Sequence, residues 1–84
     1  MDVNDISPLR KVVGYRQVER AVNLGLISKL ILATDADADF EKKVLTLASA
    51  NYVPVIRKGT KIQIAEVCGI DKIATVVGIY KEQE

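Results

Sequence analysis

The chain has 84 residues, 49% of them hydrophobic, and a formal net charge of +1. That length suits one domain, residues 1–84, burying roughly 60–65% of its unfolded surface, and the charge excludes a polycation that coats nucleic acid through its total alone. There is no histidine and one cysteine, which removes the commonest general base and metal ligand and any internal disulfide, and points away from an enzyme. No apolar run approaches bilayer length and no leader pattern is present. A soluble, cytoplasmic monomer needing no metal or cofactor is the expectation.

Taken in chain order, Val3, Ile6 and Leu9 outline a short helix near Pro8. Val12-Val13 reads as a strand that ends at Gly14, where a helix begins at once. Val18, Ala21 and Val22 give that helix its apolar stripe, and Gly25 closes it. Leu30 to Ala33 is a second strand; Phe40, Val44, Leu47 and Ala48 mark a longer helix ending near Asn51. Val53 to Ile56 is a third strand. Thr60 to about Cys68 is a short helix stopped by Gly69, and Ile73 to Ile79 is the fourth strand. The last three strands are nearly continuous in apolar character, as strands covered on both faces are. The alternation predicts a three-layer α/β/α sandwich around a small, four-stranded mixed sheet.

Two strand-to-helix junctions carry unusual charge. A helix N-terminus bears orphan N–H groups and partial positive charge, which favour anions. Arg16 stands there against that preference, with Gln17 beside it and Arg20 one turn on along the same face. Gln17 has two readings, a free amide or a side chain that reaches back to cap the turn. The second junction, Arg57-Lys58-Gly59-Thr60-Lys61, has three cations in five residues, and Thr60 with Gln63 has capping-box spacing. If the first and third strands run parallel, both junctions share one rim. That rim would hold two open helix N-termini with Arg16, Arg20, Lys58 and Lys61, a surface for phosphates and, through Arg and Gln, for base edges.

Other candidates are weaker. Asp35-Ala36-Asp37-Ala38-Asp39 resembles the start of a calcium loop, but Phe40 and Thr46 stand where glycine and a bidentate glutamate are needed. Those acids are expected to cap the following helix. Cys68 reads as a small buried hydrophobe, and Tyr15 as either a base-stacking ring or a core contact.

From about Leu9 to Ile79 the chain resembles the kink-turn-binding ribosomal protein superfamily of the L-seven-Ae and L-thirty-e type, most of all its short bacterial members. The resemblance rests on Gly14-Tyr15-Arg16-Gln17-Val18-Glu19-Arg20, on Leu32-Ala33-Thr34-Asp35-Ala36-Asp37, on Asn51-Tyr52-Val53-Pro54-Val55, and on Val67-Cys68-Gly69-Ile70. It implies that Arg16 and Gln17 lie against the guanines of tandem sheared G·A pairs and that Arg20 takes a following lysine's place. In relatives a recognition loop carries apolar residues near an extruded base, and Lys61-Ile62 alter that loop here. The RNA-facing set is then Gly14, Tyr15, Arg16, Gln17, Arg20, Asp35, Lys58, Gly59, Thr60, Lys61 and Ile62. The chain departs from the pattern at Ile64-Ala65-Glu66, where the family usually has Leu-Gly followed by a cation.

The resemblance implies a non-catalytic protein that stabilises kink-turn RNA, with ribosomal RNA among the candidate targets. Two other readings stay open: a protein–protein adaptor of the same fold, supported if Asp35 to Glu41 forms an acidic face, and a detached RNA-recognition unit of an RNA-modifying enzyme.

Overall fold

Continuous burial on the central strands, with successive residues entering opposite faces, decides the architecture. In β2 (Ile27–Leu32), Leu30 and Leu32 enter one apolar cluster while Ile31 enters another on the opposite face. The computed structural model, which describes residues 2–82, covers both faces accordingly. Helices α1 (Tyr15–Asn23) and α2 (Ala38–Ala50) pack on the first face through Val18, Ala21, Val22, Val44, Leu47 and Ala48. Helix α3 (Lys61–Cys68) and an N-terminal 3₁₀ turn (Val3–Ile6) cover the second through Ile64, Ala65 and Ile6. This is the expected three-layer sandwich. Each fully buried Val, Leu or Ile side chain contributes about 1.5–3 kcal/mol of apolar burial.

The sheet order is β1-β4-β2-β3, with β1 (Lys11–Val13), β3 (Val55–Arg57) and β4 (Val76–Tyr80). β4 is antiparallel to both β1 and β2, and β2 is parallel to β3. Strands β1, β2 and β3 therefore point the same way, and their C-terminal ends form one rim. That arrangement meets the condition under which the two basic junctions share an edge.

Three strand starts differ from expectation by two or three residues, each where a backbone group is engaged elsewhere. β3 starts at Val55 because the Val53 N–H donates to Ala48 O (2.9 Å) and closes α2. β4 starts at Val76 because the Ala74 N–H donates to Lys61 O (3.1 Å), folding that stretch over the start of α3. β2 begins three residues early, at Ile27, around an irregularity where Ser28 Oγ donates to Ile79 O (3.1 Å). The N-terminal helix is a single 3₁₀ turn that stops before Pro8, which has no N–H with which to extend it.

Candidate nucleic-acid interface

The first junction is an open helix end. Gly14 is the N-cap of α1 at φ 96°, ψ 147°, a conformation open to glycine almost alone. Its N–H donates to Val76 O (3.2 Å) and its carbonyl accepts from Val18 (2.9 Å), so the glycine is fastened to the sheet and to the helix. No side chain caps this end. Among the described residues the N–H groups of Tyr15, Arg16 and Gln17 have no acceptor, and the Arg16 and Gln17 side chains are exposed without a partner. Gln17 does not reach back to the Gly14 N–H, which β4 already holds. Arg20 is exposed one turn further along α1.

Tyr15 turns the other way. Its ring meets Phe40 edge-on at 5.8 Å between centroids, with the Lys43 ammonium 4.2 Å from the ring centre. Its hydroxyl donates to Glu19 Oε2 (3.3 Å). Burial first, then the Glu19 carboxylate, push the phenol above its ordinary pKa, so it stays a neutral donor. Of its two sequence readings, the ring takes the packed one, in the seam between α1 and α2.

The second junction is closed rather than open, contrary to the expectation of two free helix ends. Thr60 Oγ1 accepts from Gln63 N–H (3.1 Å) and Gln63 Oε1 accepts from Thr60 N–H (2.9 Å), completing the capping box. Asp35 Oδ1 accepts from Lys61 N–H (2.9 Å). This also corrects the expectation that Asp35 caps the helix that follows it. Because β2 and β3 are parallel neighbours, the loop after β2 lies against the start of α3, and the carboxylate finds that N–H first. Asp37 is the N-cap of α2 without a side-chain bond, while Asp39 and Glu41 occupy its first turn, where their charge suits the dipole. The three aspartates thus serve two different helices.

The basic segment loses one of its cations to α2, since Arg57 Nη2 pairs with Glu41 Oε1 at 3.0 Å. Lys58 is exposed and unpaired among the described residues, and its N–H extends the β2–β3 ladder through Leu32 O (3.1 Å). Gly59 has φ 79°, and a Cβ there would stand 2.9 Å from Val3 Cγ2, so the N-terminal 3₁₀ turn seats directly on this loop. Lys61 is half-buried, and Ile62 is 62% exposed. Glu66 lies on the exposed side of α3 one turn beyond Ile62, roughly 6 Å further from the rim.

Two participants were not apparent from the sequence. Thr34 donates from both N–H (2.8 Å) and Oγ1 (3.1 Å) to Gly59 O, binding the loops after β2 and β3 together. Ile73, 60% exposed, is brought beside Lys61 by the Ala74–Lys61 hydrogen bond. A polar residue directly after an apolar strand was the available signal for Thr34; Ile73 looked like strand. Across the rim, from Gly14 after β1 to Lys58 after β3, lie three strand spacings, roughly 14 Å.

A four-stranded mixed sheet between helices, with the uncapped start of α1 and exposed Arg and Lys along a single rim, defines an α/β sandwich with a basic edge at that end of α1. The chain belongs to the ribosomal protein L7Ae/L30e/S12e/Gadd45 family, whose sequence model matches residues 8–84. It is 32% identical over 72 residues to an RNA-binding protein of Geobacillus sp., spanning 86% of this chain and 88% of that one. It is 31% identical over 70 residues to the RNA-binding protein YbxF of Geobacillus stearothermophilus, spanning 83% and 85%. Among solved structures, the fold matches a 15.5 kD RNA-binding protein of Giardia lamblia with a TM-score of 0.79 at 21% identity, covering 96% of this chain and 69% of that one. A Bacillus halodurans protein of unknown function matches with a TM-score of 0.86 at 23% identity, covering 94% and 83%.

Proposed function

We propose that this chain binds RNA without catalysis, and that its target is a kink-turn, a sharp bend built on sheared G·A pairs. The observation that carries the proposal is the uncapped start of α1, with Arg16 and Gln17 beside it unpartnered among the described residues. Three free N–H groups at a helix end suit a phosphate, and exposed Arg and Gln suit guanine edges. RNA offers base edges in its bends and unpaired segments rather than in its deep major groove. Lys58 and Lys61, across the same rim, then fix the backbone of the bent strand without reading sequence. Membership of the family and relatives named as RNA-binding proteins support the same reading. Ribosomal RNA is one candidate target, bound by a cytoplasmic monomer.

The adaptor reading draws less support. It asks for an acidic face from Asp35 to Glu41; Asp37 and Asp39 are exposed and unpaired among the described residues, but Asp35 is turned to the Lys61 backbone N–H and Glu41 is paired with Arg57. A gel-shift comparison tests the proposal. A kink-turn duplex should bind at least tenfold more tightly than the same duplex lacking its G·A pairs, a ratio worth about 1.4 kcal/mol. Equal affinity for both would leave only general RNA binding, and no shift with either would favour the adaptor.

A further inference from the structure

A carboxylate on a surface that faces a polyanion needs a reason to be there. Asp35 is exposed in the loop after β2, and its Oδ1 accepts from Lys61 N–H at 2.9 Å. Immediately before it, Thr34 makes two hydrogen bonds to Gly59 O. Two consecutive residues therefore hold the segment from Gly59 to Lys61 through three bonds. The opposite side of the same segment is held as well, because Ala74 N–H donates to Lys61 O. The Lys61 peptide groups are thus gripped from two loops that are remote from it in sequence.

That grip matters because α3 is short. Its eight residues lie below the length at which a helix supports itself in water, so its first turn depends on caps and packing. Lys61 and Ile62 are the first two residues of that turn, and Ile62 is largely exposed.

We infer that Asp35 is a positioning residue for RNA recognition: by capping Lys61 it fixes the cation and apolar side chain at the start of α3, and it does not itself contact RNA. The inference rests on the RNA-binding reading above. Its signature is a sign. Electrostatics alone says that deleting a carboxylate from a surface bound to phosphates strengthens binding. Positioning says that deleting this one weakens it, because the first turn of α3 loosens. Asparagine separates the two effects, since its amide oxygen can still accept from Lys61 N–H while the charge is gone.

The test compares the parent chain with Asp35→Asn and Asp35→Ala. Anisotropy titrations use a kink-turn duplex and the same duplex without G·A pairs, and amide exchange at Lys61 is followed by NMR with no RNA present. Asp35→Ala should speed Lys61 exchange about tenfold and weaken kink-turn binding roughly threefold to tenfold, the range of a lost cap. Asp35→Asn should exchange like the parent and bind at least as tightly, which also shows that the alanine result is not general unfolding. Alanine binding as well as the parent would overturn the inference, as would asparagine binding as poorly as alanine, which would make the carboxylate itself the RNA contact. Unchanged Lys61 exchange in Asp35→Ala would overturn the cap irrespective of RNA. A parent that binds neither duplex would overturn the RNA reading and this role with it, while the exchange result would still report on the cap.

Discussion

The Gly14 N–H donates to the Val76 carbonyl at 3.2 Å, and this bond from the N-cap of α1 to β4 governs what α1 presents to solvent. In α3 the N–H of the capping residue Thr60 is taken by Gln63. The equivalent N–H in α1 is already held by the sheet, so Gln17, at the same helical position as Gln63, has nothing to cap and stays free. The start of α3 is closed by its own side chains, and the start of α1 has no side-chain cap.

Gly14 should be intolerant of a side chain for reasons of backbone alone. A Cβ there would have nothing within 4 Å, so space is not the obstacle. The obstacle is φ 96° with ψ 147°, which costs a non-glycine residue roughly 1–3 kcal/mol. Gly14→Ala should lower unfolding stability in urea by that amount. Unchanged stability would mean that the α1 start readily adopts another conformation.

Lys58 and Lys61 should supply affinity without specificity. Each phosphate contact steepens the logarithmic salt dependence by about 0.7–0.9. Replacing both lysines with alanine should flatten the slope by roughly one to two while leaving the preference for G·A-containing RNA intact. Arg57→Ala should flatten it less, because Arg57 is paired with Glu41. A double variant with the parental slope would place both lysines away from RNA.

Much of this was legible from local pattern. The apolar stripe of Val18, Ala21 and Val22, the Thr60–Gln63 spacing and the stop at Gly69 depend on residues a few positions apart, and all three appear where the periodicity placed them. The closing of α3 by Asp35 was not legible, because the bonded groups are 26 residues apart and meet only through the parallel pairing of β2 with β3. Tyr15 is a similar case. Either packing or stacking suited its position, and Phe40 on another helix decided between them. Helical spacing put Arg16 and Arg20 on one face, but only the sheet order brings that face onto the same rim as Lys58.

Tyr52 offers a stability test remote from the rim. It has φ 58° in the position just past α2 that glycine usually fills, with Val53 N–H returning to Ala48 O, and it is 95% exposed. Its ring buries almost nothing that could repay the strained backbone. Tyr52→Gly should raise stability by about 0.5–1 kcal/mol, a few degrees in the melting midpoint for a chain this size, with RNA affinity unchanged. A fall in the midpoint would show that the ring makes a stabilising contact.

The most direct measurement is isothermal titration of folded kink-turn RNA with the parent, Arg16→Ala and Gln17→Ala, alongside melting of each protein. Both side chains are exposed and cap nothing, so truncation should leave the fold nearly unaffected. A base-directed side chain carries about 1–3 kcal/mol of discrimination. Each substitution should therefore weaken binding about tenfold or more, corresponding to about 1.4 kcal/mol, with near-parental melting. Parental affinity in both variants would contradict the assignment of the α1 end as the RNA-reading site.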